Sequence, residues 1–196
     1  RSAFPCDGTP EYGIFIKEQI ESLPKERIQS EVFFINGREL GKRAYLKAIL
    51  EVRARAYSAD VIHCHHVYSF LVVLLAGVTL HKPVVLSFLN DWTQEVKDLK
   101  VEWVKKALCH LCVRLATTTI FKSPIPHELR LSKKVMNLPN GVDEEFFQVR
   151  DKFHARRQLG LSVDSKYLLF VSSKNKFRDQ KRYDIFQKVI EIVRKR

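Results

Sequence analysis

Three histidines stand close together in the segment IHCHHVY, as His63, His65 and His66. Imidazole binds zinc, moves protons near neutral pH and hydrogen-bonds hydroxyl groups. His63 and His65 at strand spacing supply two groups on one face, with no carboxylate or thiolate beside them, which falls short of a zinc set. His65 and His66 fall where a strand ends, so a ligand-facing role competes with that of a packed, hydrogen-bonded side chain.

Other segments carry candidate chemistry of the same kind. The loop CDGTPEYG, with Gly8, precedes a helix, where backbone N–H groups and the helix dipole can receive a phosphate. It matches neither the dinucleotide fingerprint nor a P-loop. SFLNDWTQE follows a strand, and Asn90, Asp91 and Trp92 offer polar groups and an aromatic face for a sugar, or a cap for the next helix. In SSKNKFRDQKRYD, Lys174, Arg178 and Lys181 either bind a diphosphate or stand in solvent. Cys109 and Cys112 have redox-motif spacing but sit within a helix with no preceding strand and turn, which points to core packing. Asn140-Gly141, in NLPNGVDEEFF, has hairpin chemistry, yet no returning strand follows.

The elements that must position these groups alternate along the chain. A helix carrying Phe15, Ile16, Ile20 and Leu23 ends at Pro24, and a short strand spans Glu31 to Ile35. A basic amphipathic helix, Glu39 to Tyr57, leads to a strand at Asp60 to Cys64. An apolar helix from Tyr68 to Leu80 and a strand from Pro83 to Phe88 follow. The next helix has Val101, Val104, Leu108, Leu111 and Leu115 in one stripe. Then come a strand at Thr117 to Phe121, a short helix at His127 to Leu131 and a strand at Lys134 to Leu138. Beyond Asp151 the pattern gives a helix, a strand from Tyr167 and a helix from Tyr183 to Arg194. Strands apolar on both faces and alternating with helices predict an α/β fold, a doubly wound, Rossmann-like parallel sheet that binds ligands at the carboxyl ends of its strands.

At 45% hydrophobic and 29% charged, the 196 residues suit a folded domain and exclude a disordered chain. Cys6, Cys64, Cys109 and Cys112 lie in no framework-like spacing, as expected of reduced thiols in the cytoplasm. The run from Val67 to Leu80 is too short to cross a bilayer. The net charge of +12 is a solvated surface or, if gathered, a patch for nucleic acid, anionic lipid or an acidic substrate. Its densest runs are Arg38 to Arg55 and Lys174 to Arg196.

In this order, the glycine loop and helix, ADVIHCHH, KPVVLSF, FKSP with Ser123, NLPNGVDEEFF, ARRQLGLSVDSKYLLFVSS and KRYDIF resemble the retaining, two-domain GT-B glycosyltransferases of family four, the glycogen-synthase-like group. The resemblance implies a nucleotide-diphosphate sugar as donor, with no metal or other cofactor expected, and a glycan or lipid-linked acceptor in surface glycan or glycolipid synthesis. It implies an acceptor-side domain at 1–143, a linker and entry helix at 144–160, and the first strand-helix unit of a donor-binding domain at 161–196. Lys181 matches the family's diphosphate-binding lysine, with Arg178 or Lys174 beside it; Gly8 matches the glycine that closes against the donor. Asn90 and Asp91 occupy the loop lining the sugar site, with His65 and His66 on the acceptor side. Asn140 and Gly141 form the turn that faces the cleft. A histidine common in the family near Leu89 or Asn90 is absent, so no catalytic residue is assigned.

A first strand and the paired glutamates of the second domain are also absent, so the chain reads as a fragment inactive by itself. Its place is the cytoplasm or the inner membrane face, with peripheral contact to anionic lipid. The alternatives are a noncatalytic flavodoxin-like binding module and a basic nucleic-acid-binding domain.

Overall fold

Short apolar runs ending in loops build the centre of the molecule. In the computed structural model they form a four-stranded parallel sheet: β1 (Ile62–His65), β2 (Val84–Phe88), β3 (Thr118–Phe121) and β4 (Val135–Asn137), in the order β1-β2-β3-β4. The structure describes residues 4–5, 13–24, 26–37, 39–89, 100–129, 134–171 and 182–194. Parallel strands need crossovers, and these are α3 (Val67–Leu75) between β1 and β2 and α4 (Glu102–Leu115) between β2 and β3. A 3₁₀ turn, His127–Leu129, leads to β4. Ahead of the sheet lie α1 (Ile14–Glu21) and α2 (Lys42–Ala56). The expected α/β, Rossmann-like class is what the chain adopts.

Because side chains alternate along a strand, the sheet has two unlike faces. Cys64, Leu86, Phe88 and Phe121 share one face and pack with Phe70 and Val73 of α3 and with Cys109, Cys112 and Val113 of α4. Phe88 and Phe121, paired in register across β2 and β3, stack with centroids 4.8 Å apart. Burial of each such aromatic contributes about 1.5–3 kcal/mol. His63, His65 and Ser87 project from the opposite face, as their register shows: His63 opposite Val85 and His65 opposite Ser87.

Several expectations need correction. Glu31 to Ile35 is not a strand: these residues join no ladder, although Ile35 is buried against Ala44, Ala48 and Val72. Tyr167 to Val171 likewise forms no strand. In both, β-branched and aromatic residues give strand composition, but a strand exists only when a neighbour takes its N–H and C=O groups. The helix expected to run to Leu80 ends at Leu75, where Gly77 takes φ 73°, and a 3₁₀ turn follows at Val78–Leu80.

The stripe on α4 is also rotated from the one predicted. Val101, Leu111 and Leu115 are exposed, whereas Cys109, Cys112, Val113 and Ala116 are buried. Smaller groups on that face let the helix axis approach the sheet, and the longer leucines are left at the margin. Cys109 and Cys112 are thus core residues, as anticipated. Burial, with Cys112 as a lesser cause, raises the Cys64 thiol to about 12, which suits packing and not redox chemistry.

The chain divides into two compact units, Arg1–Val142 and Asp143–Arg196. In the second, α5 (Lys152–Gln158) is capped by Asp151, whose carboxylate accepts from the His154 N–H at 2.6 Å. The last helix, α6 (Tyr183–Arg194), packs Tyr183 and Phe186 on Phe170, with ring centroids 5.2 and 4.9 Å away. Neither Asn140 nor Gly141 takes a left-handed backbone, and residues 138–142 carry no hydrogen-bonded turn. The Asn-Gly pair is therefore an exposed connection and not the tight turn its composition suggests.

Candidate functional site

The carboxyl ends of β1, β2 and β3 bring together His63, His65, Ser87, Lys122 and Ser123. Ser87 is fully buried, and its hydroxyl meets His63 Nε2 at 2.7 Å. The His63 and His65 rings lie against each other, centroids 4.1 Å apart. His65 Nδ1 is buried with no partner among the described residues, and so is the Ser123 hydroxyl. Asn137, at the end of β4, donates to the Phe121 carbonyl at 3.0 Å and the Ser123 carbonyl at 2.6 Å, which fixes the path of the chain as it leaves β3.

The electrostatics keep the two imidazoles neutral. Loss of water lowers His63 to about 4, with the Lys122 charge adding to it, although one side of His63 stays exposed. For His65 the same desolvation comes first, then His63, then Lys122, and the value falls to about 3. Lys122 is itself half-buried, and desolvation lowers its pKa. At neutral pH the cluster offers imidazoles that donate at one nitrogen and accept at the other, two hydroxyls and one cation. Such a set hydrogen-bonds the hydroxyl groups of a polar neutral ligand and tolerates an anionic substituent.

His66 closes the edge in another way. Its backbone has φ 119° and ψ 146°, a conformation that side-chain-bearing residues rarely adopt, and its Nδ1 accepts the Tyr68 N–H at 3.2 Å as the N-cap of α3. Ser69 Oγ donates to the His66 carbonyl at 2.8 Å. The strained residue turns the chain sharply from β1 into α3.

Of the residues singled out from sequence, His63, His65, His66 and Ser123 reach this edge. Asn140 and Gly141 are exposed on the connection after β4. Gly8, Asn90, Asp91, Lys174, Arg178 and Lys181 lie outside the described residues. Sequence reasoning overlooked Ser87, Lys122 and Asn137. A detectable signal existed for each: Ser87 is a lone hydroxyl in the apolar run PVVLSF, Lys122 follows directly on TTTIF, and Asn137 interrupts KVMNL. Among the described residues no group of three His, Cys, Asp or Glu side chains is arranged to hold a metal. An open depression of about 420 Å³, lined by His110, Val113, Arg114, Leu129 and Lys134, lies instead toward the amino ends of the strands, opposite the edge where such sheets bind ligands.

Comparison with curated proteins finds no match. The family model described as Glycosyltransferase Family 4 matches residues 9–146, which includes the whole sheet and every group of the histidine cluster. The match extends over more than half of the chain, and the chain belongs to Glycosyltransferase Family 4.

Proposed function

We propose that this chain takes part in transfer of a hexosyl group from a nucleotide-diphosphate sugar to a glycan or lipid-linked acceptor, in the cytoplasm, with the first unit holding the acceptor. Family membership means a glycosyltransferase-type domain with a sugar donor and an acceptor as partners. The observation that carries the finer reading is the edge described above: His65 Nδ1 and the Ser123 hydroxyl are buried and unpartnered, beside the cation of Lys122. Unpaired buried polar groups cost free energy unless a ligand satisfies them, and sugar hydroxyls have the matching chemistry.

In the reaction the bond from the anomeric carbon to the diphosphate oxygen breaks, and a bond from that carbon to an acceptor hydroxyl oxygen forms. The acceptor proton passes to the departing diphosphate oxygen, and in a retaining transfer the new bond takes the face that the diphosphate leaves. The developing negative charge on the diphosphate requires cations, and Lys174, Arg178 and Lys181 of the second unit are proposed for that role. The neutral imidazoles orient the acceptor and carry no net charge to the site.

Saturation-transfer NMR tests this reading with UDP-, ADP- and GDP-sugars and with free oligosaccharides. Oligosaccharide contacts that weaken in His65→Ala, and nucleotide contacts that weaken in Lys181→Ala, are the expected outcome. Absence of contact with every sugar and nucleotide would sink it.

A further inference from the structure

The chain contains two Asn-Gly pairs, Asn36-Gly37 and Asn140-Gly141, and the fold holds them in opposite ways. In such a pair the glycine nitrogen can attack the side-chain amide of the asparagine, because glycine places no Cβ in the way. Attack occurs only where both residues are free to turn into a five-membered ring.

Asn36-Gly37 is locked. Asn36 Nδ2 donates to Glu39 Oε2 at 2.8 Å, and Asn36 Oδ1 accepts from the Glu39 N–H at 3.2 Å. The Gly37 N–H donates to the Ile35 carbonyl at 2.8 Å, and the Tyr45 ring lies against Gly37, where a Cβ would strike it. Ile35 is in turn buried against Ala44 and Ala48 of α2 and Val72 of α3.

Asn140-Gly141 has none of these restraints. Both residues are exposed, and neither the Asn140 side chain nor the Gly141 N–H has a hydrogen-bond partner among the described residues. A Cβ at Gly141 would meet nothing within 4 Å, so that side of the backbone is open. The pair stands just before Val142, the last residue of the first unit.

We propose that Asn140 is a covalent modification site, at which the folded chain deamidates through a succinimide while Asn36 stays intact. Gly141 N attacks Asn140 Cγ, the Cγ–Nδ2 bond breaks, and the Gly141 amide proton leaves with that nitrogen as ammonia. Water then opens the ring at either carbonyl, giving aspartate or, where the chain runs on through Cγ, isoaspartate. No electrons are gained or lost, and water is the co-reactant. The product places a new negative charge beside Asp143, Glu144 and Glu145, and isoaspartate adds a carbon to the backbone where the chain passes from one unit to the next. The inference stands apart from the transfer reading, because the ring closes without donor or acceptor.

Peptide mapping of the 196-residue chain after incubation in neutral buffer tests it. Trypsin puts the two pairs on separate peptides, 28–38 and 135–150. The mass gain of amide-to-acid exchange should build up at Asn140, and not at Asn137 in the same peptide, whose Nδ2 is held by the Phe121 and Ser123 carbonyls. Three hydrogen bonds must open before the ring closes at Asn36, which should make it at least about ten-fold slower than Asn140. In guanidinium chloride the two rates should converge. Gly141→Ala should slow the gain at Asn140 roughly ten-fold without lowering the melting temperature, since Gly141 is not left-handed and a Cβ has room there. Glu39→Ala should speed Asn36 alone. Methyl uptake through an isoaspartyl methyltransferase should fall in Asn140→Gln.

Equal rates at the two pairs in the folded chain, a faster Asn36, or an Asn140 that changes only after unfolding or not at all would overturn the proposal. So would a gain located at Asn137. Aspartate at position 140 with no isoaspartate would mean direct hydrolysis and would overturn the succinimide route.

Discussion

His63 Nε2 and Ser87 Oγ, 24 residues apart in sequence, lie 2.7 Å from each other across the first two strands of the sheet. The bond satisfies the hydroxyl of a fully buried serine and holds the His63 ring against His65. A buried hydroxyl left without its partner costs about 1–3 kcal/mol. His63→Ala is therefore expected to destabilise the protein by about that amount, and Ser87→Ala by about 1 kcal/mol. In a double-mutant cycle by urea denaturation the two losses should couple by at least about 0.5 kcal/mol. Strict additivity would show that the bond contributes nothing.

The depressed values of His63 and His65 set a pH dependence with a definite sign. In the unfolded chain both titrate near the ordinary 6.5, whereas in the fold they take up protons only near 4 and 3. Between pH 6.5 and 4 the unfolded state binds more protons, so stability is complete above 6.5 and falls as the pH falls toward 4. His63→Gln with His65→Gln should flatten the slope between pH 7 and 5 in urea midpoints, a window placed about one unit or more above the carboxylate range. The C2–H signals of His63 and His65 in the wild type should hardly move in that window; a midpoint near 6.5 for either would refute the depression.

His66 joins a cap to a strained backbone, and the two can be separated. Glycine accepts φ 119° without a Cβ penalty, while alanine loses the cap and keeps the strain. His66→Gly should be more stable than His66→Ala by about 1–2 kcal/mol. Equal stability of the two variants would mean that the backbone relaxes.

Thr119 is fully buried, on the apolar face of the sheet, and its hydroxyl has no partner among the described residues. Valine has the same branched shape without the polar atom. Thr119→Val should therefore stabilise the protein by about 1 kcal/mol, read as a higher urea midpoint at unchanged slope. A loss of stability would indicate that the hydroxyl is hydrogen-bonded after all.

Much of the fold was legible because hydrophobic periodicity is a local property. The helix from Tyr183 to Arg194 appears with the predicted bounds, and the strands ending at Phe88 and Phe121 end where their apolar runs do. Reading failed where a neighbour decides. Glu31 to Ile35 and Tyr167 to Val171 have strand composition, yet neither joins a ladder. On α4 the leucines made the obvious stripe, but the sheet selected the face with Cys109 and Cys112 because a close approach needs smaller groups.

The amino-acid sequence by itself determined the alternation of strands and helices, the parallel class of the sheet, the histidines at the end of a strand and a basic helix between Glu39 and Tyr57. Those features follow from side-chain size, polarity and spacing along the chain, which need no distant partner. Only the tertiary structure decided that Ser87 is the group His63 meets, that Lys122 joins them and that Leu46 and Leu50 face outward. Strand register and helix rotation fix those relationships, and both are set by packing between segments far apart in the chain.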